Sequence, residues 1–421
     1  MIVHLAFTGC LLGLTVVNYY AGRRNVLYPP FLFTLNWFVV FCLYLVPLVE
    51  VNELGASTLA VVASGVAAFS AGGAIAERGR DPRPLADFTH RNPIVKKVIL
   101  LCCLAFLPAF FWEIRRLSAV GGFDSFMISA RVAMNDAATN GEKIYSSRLY
   151  IAAPMLALFV ALVFLIEARE WRRERVWVWS SILTALAFSV LTTGRTWLME
   201  LVVGLAGIYL LKSRRFSAGE AWRFVRWPLA ALLALFSILV PVNKDISGVN
   251  GGATEAIADY AFGYAVIPLA GFDYVLHHAS EYKYDPNHTF RDLLPGFARI
   301  AGIRYMPPPM LDDFVSVPFP TNVYTIFKSY YVDFGLTGML IAMFVIGAGQ
   351  TWLFRRALTG DHFYVFLFAV SLYPLAMAVF DDSYSYIKND LIALVFAALY
   401  FRVLRAIPLE ARAGGHRWHF W

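Results

Sequence analysis

Charge is scarce in this 421-residue chain. Asp, Glu, Lys and Arg make up 15% of it, where a water-soluble domain carries about 25%. Hydrophobic residues reach 59% and Phe, Trp and Tyr 16%. That leaves too little polar surface to cover a core in water, and the composition fits a chain whose solvent is lipid. Cysteine is nearly absent too. Cys10, Cys42, Cys102 and Cys103 all stand in apolar runs, which argues against a disulfide framework or a zinc site with CxxC spacing; they read as small buried hydrophobes. No P-loop, GxGxxG, GxSxG or HExxH is found, so ATP hydrolysis and zinc proteolysis lack their usual carriers. Any bond-forming chemistry would draw on a substrate that is already activated. The first apolar run also lacks the basic stretch that precedes a cleaved signal peptide. It reads as a retained first helix that starts outside.

What is present is a series of apolar runs. Eleven approach the roughly 20 residues of a helical crossing: 2–21, 28–49, 54–76, 98–114, 149–168, 177–194, 196–212, 227–243, 336–354, 363–381 and 389–406. Lipid offers no hydrogen bonds to an open backbone, so these runs must be helices. The expected fold is an all-α polytopic integral membrane protein with about 11 (10–12) transmembrane helices, a single membrane domain over 1–421.

The net charge of +7 does not point to nucleic acid, because of where it lies. With the N-terminus outside, the inner segments hold 23 of the 36 Lys and Arg residues, as the positive-inside rule requires. Two long loops then lie outside, 115–148 and 244–335. The second is the only large extramembrane feature, and the long loops are exempt from the rule. Within it, 253–276 is apolar with interspersed acids and reads as a re-entrant or interfacial helix, a twelfth crossing being the alternative. The C-terminal Gly-Gly-His-Arg-Trp-His-Phe-Trp suits lipid headgroups.

Cations on the outer face carry the chemical signal. Arg195, in Leu-Thr-Thr-Gly-Arg-Thr-Trp, sits in a connection too short to leave the bilayer. It either snorkels or meets an anion, and a guanidinium grips diphosphate oxygens bidentately. His288, Arg291, Arg299 and Arg304 cluster in the large loop. If 289–302 were helical, Arg291 and Arg299 would share a face, while Pro295-Gly296 would break or bend that helix. A solvated basic loop neutralised by Asp312 and Asp313 is the plainer reading. In the first loop Arg115 and Arg116 suit headgroups, and Arg131 is a candidate substrate contact. The segment Asn322-Val-Tyr324 to Lys328-Ser-Tyr330-Tyr331-Val-Asp333-Phe-Gly335 offers rings to stack on sugars and acids or amides to hold hydroxyls, or else an aromatic belt. The outer turn Asp381-Asp382-Ser-Tyr384-Ser-Tyr386 has the same mixed character. The spans themselves hold few charges, chiefly Glu200 and Asp390, which argues against an ion-coupled carrier.

Four features together resemble the Wzy-type oligosaccharide repeat-unit polymerases of O-antigen and exopolysaccharide synthesis. They are Thr193-Gly194-Arg195-Thr196 at the outer start of a mid-chain span, one large outer loop in the second half, Arg291 followed by ten residues and Gly302, and Tyr330-Tyr331-Val-Asp333-Phe-Gly335-Leu-Thr-Gly338 entering the next span. Arg131 departs from a duplicated Arg-x10-Gly pattern, with nine residues before Gly141. The resemblance implies a GT-C-like membrane glycosyltransferase of the bacterial inner membrane, with its N-terminus periplasmic, its C-terminus cytoplasmic and its active site on the periplasmic side. It would transfer an undecaprenyl-diphosphate-linked glycan to a non-reducing-end hydroxyl of an incoming lipid-linked unit. It would need no cofactor, metal or nucleotide sugar, and a chain-length regulator protein is the partner to expect. Catalytic roles fall to Arg195 and Arg291 for the leaving diphosphate, and to His288 or Asp333 as base. Arg299, Arg304, Arg131, Asn322, Tyr324, Lys328 and Tyr331 are the expected substrate contacts. The rival readings are an O-antigen ligase, a lipid-linked oligosaccharide flippase and a non-enzymatic scaffold.

Overall fold

A computed structural model describes residues 2–46, 52–79, 93–121, 126–139, 145–168, 171–192, 195–213, 217, 219–220, 222–223, 226, 253–282, 288–291, 293–305, 314–317 and 320–404. The apolar runs fold as helices α1 (Ile2–Ala21), α2 (Pro29–Tyr44), α3 (Ala56–Glu77), α4 (Pro93–Gly121), α5 (Phe126–Thr139), α6 (Leu149–Glu167), α7 (Trp171–Leu191) and α8 (Arg195–Ser213). The second half adds α9 (Ala253–His277), α10 (Ala279–Tyr282), α11 (Leu294–Ile300), α12 (Phe327–Leu358), α13 (His362–Met377) and α14 (Ile387–Ala398). The chain is thus a mostly helical membrane protein. Among the described residues, seven helices, α1, α3, α4, α6, α7, α8 and α12, are long and apolar enough to cross a bilayer. Helices α2 and α13 are apolar but shorter, and α14 runs on through a π-helical turn, Leu399–Val403. The run 227–243 lies outside the described residues. Two short strands, β1 (Val315–Ser316) and β2 (Pro320–Thr321), pair antiparallel in the large loop.

The two ends of the bundle differ chemically. At one, cations close helix C-termini. Lys212 Nζ, at the end of α8, donates to the carbonyls of Leu165 (2.7 Å), Ile166 (3.2 Å) and Ala168 (2.7 Å) where α6 ends. Arg355, near the end of α12, donates to Ala76 and Gly79 at the end of α3. Carbonyls at the end of a helix lack the i+4 amide partner that interior ones have, and the helix dipole favours a cation there. This is the end that the positive-inside rule assigns to the inner face. The spans also hold more charge than expected. Lys96 and Glu167 form a buried pair at 3.2 Å, with Tyr400 donating to Glu167. Glu113 accepts from Arg116 and from the Ser146 amide, each at 2.8 Å. Arg116 is therefore partnered within the protein rather than reserved for headgroups.

Helices α3 and α12 form the closest seam. A Cβ built on Gly72 would lie 2.0 Å from the Phe344 carbonyl oxygen, and one on Gly347 would lie 2.1 Å from that of Phe69. Only glycine permits such backbone contact, the small-residue packing usual in membranes. The opposite end gathers the site. There Asp273 of α9 accepts from the Gly55 amide (2.8 Å) and the Thr58 hydroxyl, docking α9 on the start of α3.

Candidate functional site

The first turns of α12 organise this end. The Ile326 amide donates to the Ala378 carbonyl (2.9 Å), tying the start of α12 to the end of α13. Two turns on, Gly335 takes φ 67° and kinks the helix. Just before the kink, the Asp333 carboxylate accepts from the His288 amide (3.2 Å) and the Thr289 amide (2.8 Å). This fixes the turn 288–291 and so aims Arg291. Both Asp333 carboxylate oxygens are thus engaged by backbone amides of the turn.

Arg291 is carried to the connection between α13 and α14. Its guanidinium stands 5.0 Å from the Tyr386 ring centroid, hydrogen-bonds to that phenol and lies close enough to Asp382 to steady its charge. The connection is tightly wound. The Asp381 amide donates to the Met377 carbonyl (2.8 Å), the Asp382 amide to Asp381 Oδ1 (2.8 Å), and the Ser385 hydroxyl to the Asp382 carbonyl (2.7 Å). It is also sunk into the bundle. Tyr384 OH accepts from Gln350 Nε2 (3.0 Å), and that side chain also bonds to Ser371.

Asp382 is the most unusual group here. It is 5% exposed, its Oδ1 accepts from Tyr330 OH at 3.4 Å, and its Oδ2 completes no hydrogen bond of normal geometry. Burial pushes its pKa up to about 7 and Asp381 adds to the rise, while Ser329 and Arg291 oppose it. Burial raises the Tyr386 phenol in the same way, again against Arg291. A carboxyl that titrates near neutrality beside a guanidinium can exchange a proton with a bound hydroxyl while the cation holds an anion.

Helix α8 begins at the same connection. Tyr373 is within hydrogen-bonding reach of both Thr196 and Ser383, so Arg195, the first residue of α8, has its backbone near the turn. The Arg195 side chain, Thr193 and Gly194 lie outside the described residues. One and a half turns further along, Glu200 is close enough to Asp390 for their charges to repel. The two intramembrane acids noted in the sequence are thus neighbours.

The remaining sequence candidates separate. Tyr324 is a core residue, buried with Ala270, Val275, Val315 and Val317. Lys328 is equally buried, with its Nζ 4.3 Å from the Tyr324 ring centroid, so both serve the base of the loop. Tyr331 packs edge-on against Phe272, and Asn322 is half-buried in the turn after β2. Arg131 sits half-buried on α5, which packs on α4. His288 is buried, as is Thr289. Arg291 and Arg299 do not share a helix: α11 starts at Leu294, with Pro295 in its first turn, where a missing amide is harmless. Arg299 and Arg304 are exposed; Asp312 and Asp313 lie outside the described residues. Gly302 has a local reason of its own. Gly302 (φ 68°) closes α11 in a Schellman turn, with Ile303 N donating to Ala298 O (2.8 Å) and Gly302 N to Arg299 O (3.3 Å).

A cavity of about 390 Å³ elsewhere at this end is lined by Glu53, Asp273, Tyr274, His277 and His278, and by none of the sequence candidates. The chain matches no family model, no curated protein and no solved structure.

Proposed function

We propose that this chain is a glycosyltransferase of the bacterial inner membrane that polymerises lipid-diphosphate-linked oligosaccharide units on the periplasmic side, in the manner of the Wzy-type polymerases it resembles. The observation that carries the reading is that Arg291, seated over Tyr386, lies within electrostatic reach of the buried Asp382 at the connection beside which α8 begins with Arg195. In this reading Arg195 and Arg291 hold the diphosphate of the donor. The acceptor hydroxyl oxygen attacks the anomeric carbon. The bond from that carbon to the diphosphate oxygen breaks, and its electron pair leaves with the lipid diphosphate. The hydroxyl proton passes to Asp382. Cations already in place where negative charge develops lower the barrier without reorganising. Asp333 keeps Arg291 aimed, and His288, the other candidate base, belongs to the turn that Asp333 fixes.

The test is polymerisation by the purified protein in proteoliposomes supplied with a defined undecaprenyl-diphosphate oligosaccharide. Wild type should give a ladder of lengthened glycans, and Arg195→Ala and Arg291→Ala should lower its yield about 10²–10³-fold while remaining folded. Transfer only to a lipid A core acceptor would replace this reading with a ligase. Substrate translocation without bond formation would replace it with a flippase.

A further inference from the structure

Helix α11 buries none of its residues. Phe297, Ile300 and, just past the helix, Ile303 are 64%, 87% and 64% exposed. They are held there firmly, because the Schellman turn at Gly302 closes the C-terminus and the Leu293 and Leu294 amides bond back to Phe290 at the start. An apolar face displayed on a fixed element marks a contact surface.

Two observations identify what covers it. The first is charge. The exposed Arg299 and Arg304 flank the apolar side chains, and 293–305 contains no acid, so the surface suits an anionic partner. The second is continuity. The Phe290 ring meets the Phe334 ring at 6.2 Å, both partly exposed, and below Phe334 an exposed apolar row runs down α12 through Ile341, Val345 and Trp352. On a membrane-spanning helix that row faces acyl chains. Helix α11 therefore sits at the top of a lipid-facing stripe.

We propose that α11 lies in the outer lipid–water boundary, with Phe297, Ile300 and Ile303 among the acyl chains and Arg299 and Arg304 on headgroup phosphates. Apolar anchors flanked by arginines are the usual composition of an interfacial helix, and the long arginine stems let the charge reach the phosphates. This takes Arg299 and Arg304 away from the glycan. It also makes α11 the float that sets the depth of the Arg291 turn, three residues before it in sequence. The placement holds whether or not the polymerase reading does.

A photo-crosslinking amino acid (p-benzoylphenylalanine) at Phe297 or Ile300 tests this in the full chain, reconstituted in vesicles of phosphatidylethanolamine and phosphatidylglycerol. Illumination should give lipid adducts at both positions, read by mass spectrometry. The charge reversals Arg299→Glu and Arg304→Glu together should cut the adduct yield several-fold. Adducts to a second copy of the chain, or none at all, would overturn the proposal. An adduct yield indifferent to the charge reversals would overturn the role given to the arginines.

Discussion

Helix α12 passes through two regions built on opposite terms. Along its seam with α3, backbone lies against backbone at Gly72 and Gly347, and the Arg355 guanidinium caps the carbonyls that end α3. Near its start, Tyr330 reaches the buried carboxyl of Asp382, and a second guanidinium, Arg291, stands over an aromatic ring within electrostatic reach of that acid. The same side-chain type thus closes a helix in one place and joins a buried polar cluster in the other. In the proposed reading the contrast divides stability from chemistry. The seam has no room for a methyl group, while the turn keeps an acidic oxygen buried without a hydrogen bond, a costly arrangement that packing alone would not favour.

The contrast is broken most severely at the seam. Gly347→Val should abolish accumulation of folded protein, because the new side chain meets the Phe69 carbonyl; overpacking against backbone exceeds about 4 kcal/mol. Monodisperse, wild-type-like elution in detergent would show that the two helices do not touch. Next comes Arg291→Ala, which should lower polymerisation about 10²–10³-fold with the melting temperature little changed. A large drop in thermal stability with activity per folded molecule preserved would make Arg291 structural.

Asp382→Asn should lower turnover about 10²–10⁴-fold and alter two pH profiles. The wild-type rate should rise with pH and level off above about 7, as a base must be deprotonated to act. Stability should run the other way. The folded pKa lies above the unfolded value of about 3.9, so the protonated form stabilises the fold. That contribution is complete below about 3.9 and is lost as pH rises through about 7. Denaturation midpoints of the Asn variant that keep the wild-type slope over this window would exclude Asp382 as its source. The smallest effect belongs to Asp333→Asn, which keeps one acceptor oxygen for the 288–289 amides. It should cost about tenfold in activity, the equivalent of about 1.4 kcal/mol, and leave the pH optimum in place. A shifted optimum would return Asp333 to the role of base.

Much of the helical layout was legible in the sequence, because lipid enforces long apolar helices with basic residues gathered at their ends, and residues such as Lys212 and Arg355 sit at one end of the bundle for a local reason. Seven helices meet the length and apolarity of a crossing; α2 and α13 came out shorter because each ends early, at Tyr44 and Met377. The site was only half legible. Arg291 stood out as an arginine in an outer loop, and Asp381-Asp382 as an acidic pair in a short turn. Their meeting depends on a tertiary approach across some 90 residues of sequence that no local pattern encodes. Tyr324 and Lys328 misled for the reverse reason. Aromatic and basic residues beside a membrane read alike whether they face substrate or fold inward, and here the pair is buried face to face.

Binding of polyprenyl diphosphate, measured by native mass spectrometry on wild type and Arg291→Ala, tests the central claim most directly. The account predicts that wild type retains the diphosphate lipid in preference to the corresponding alcohol and that Arg291→Ala loses this preference. Equal retention of both lipids by both proteins would contradict it.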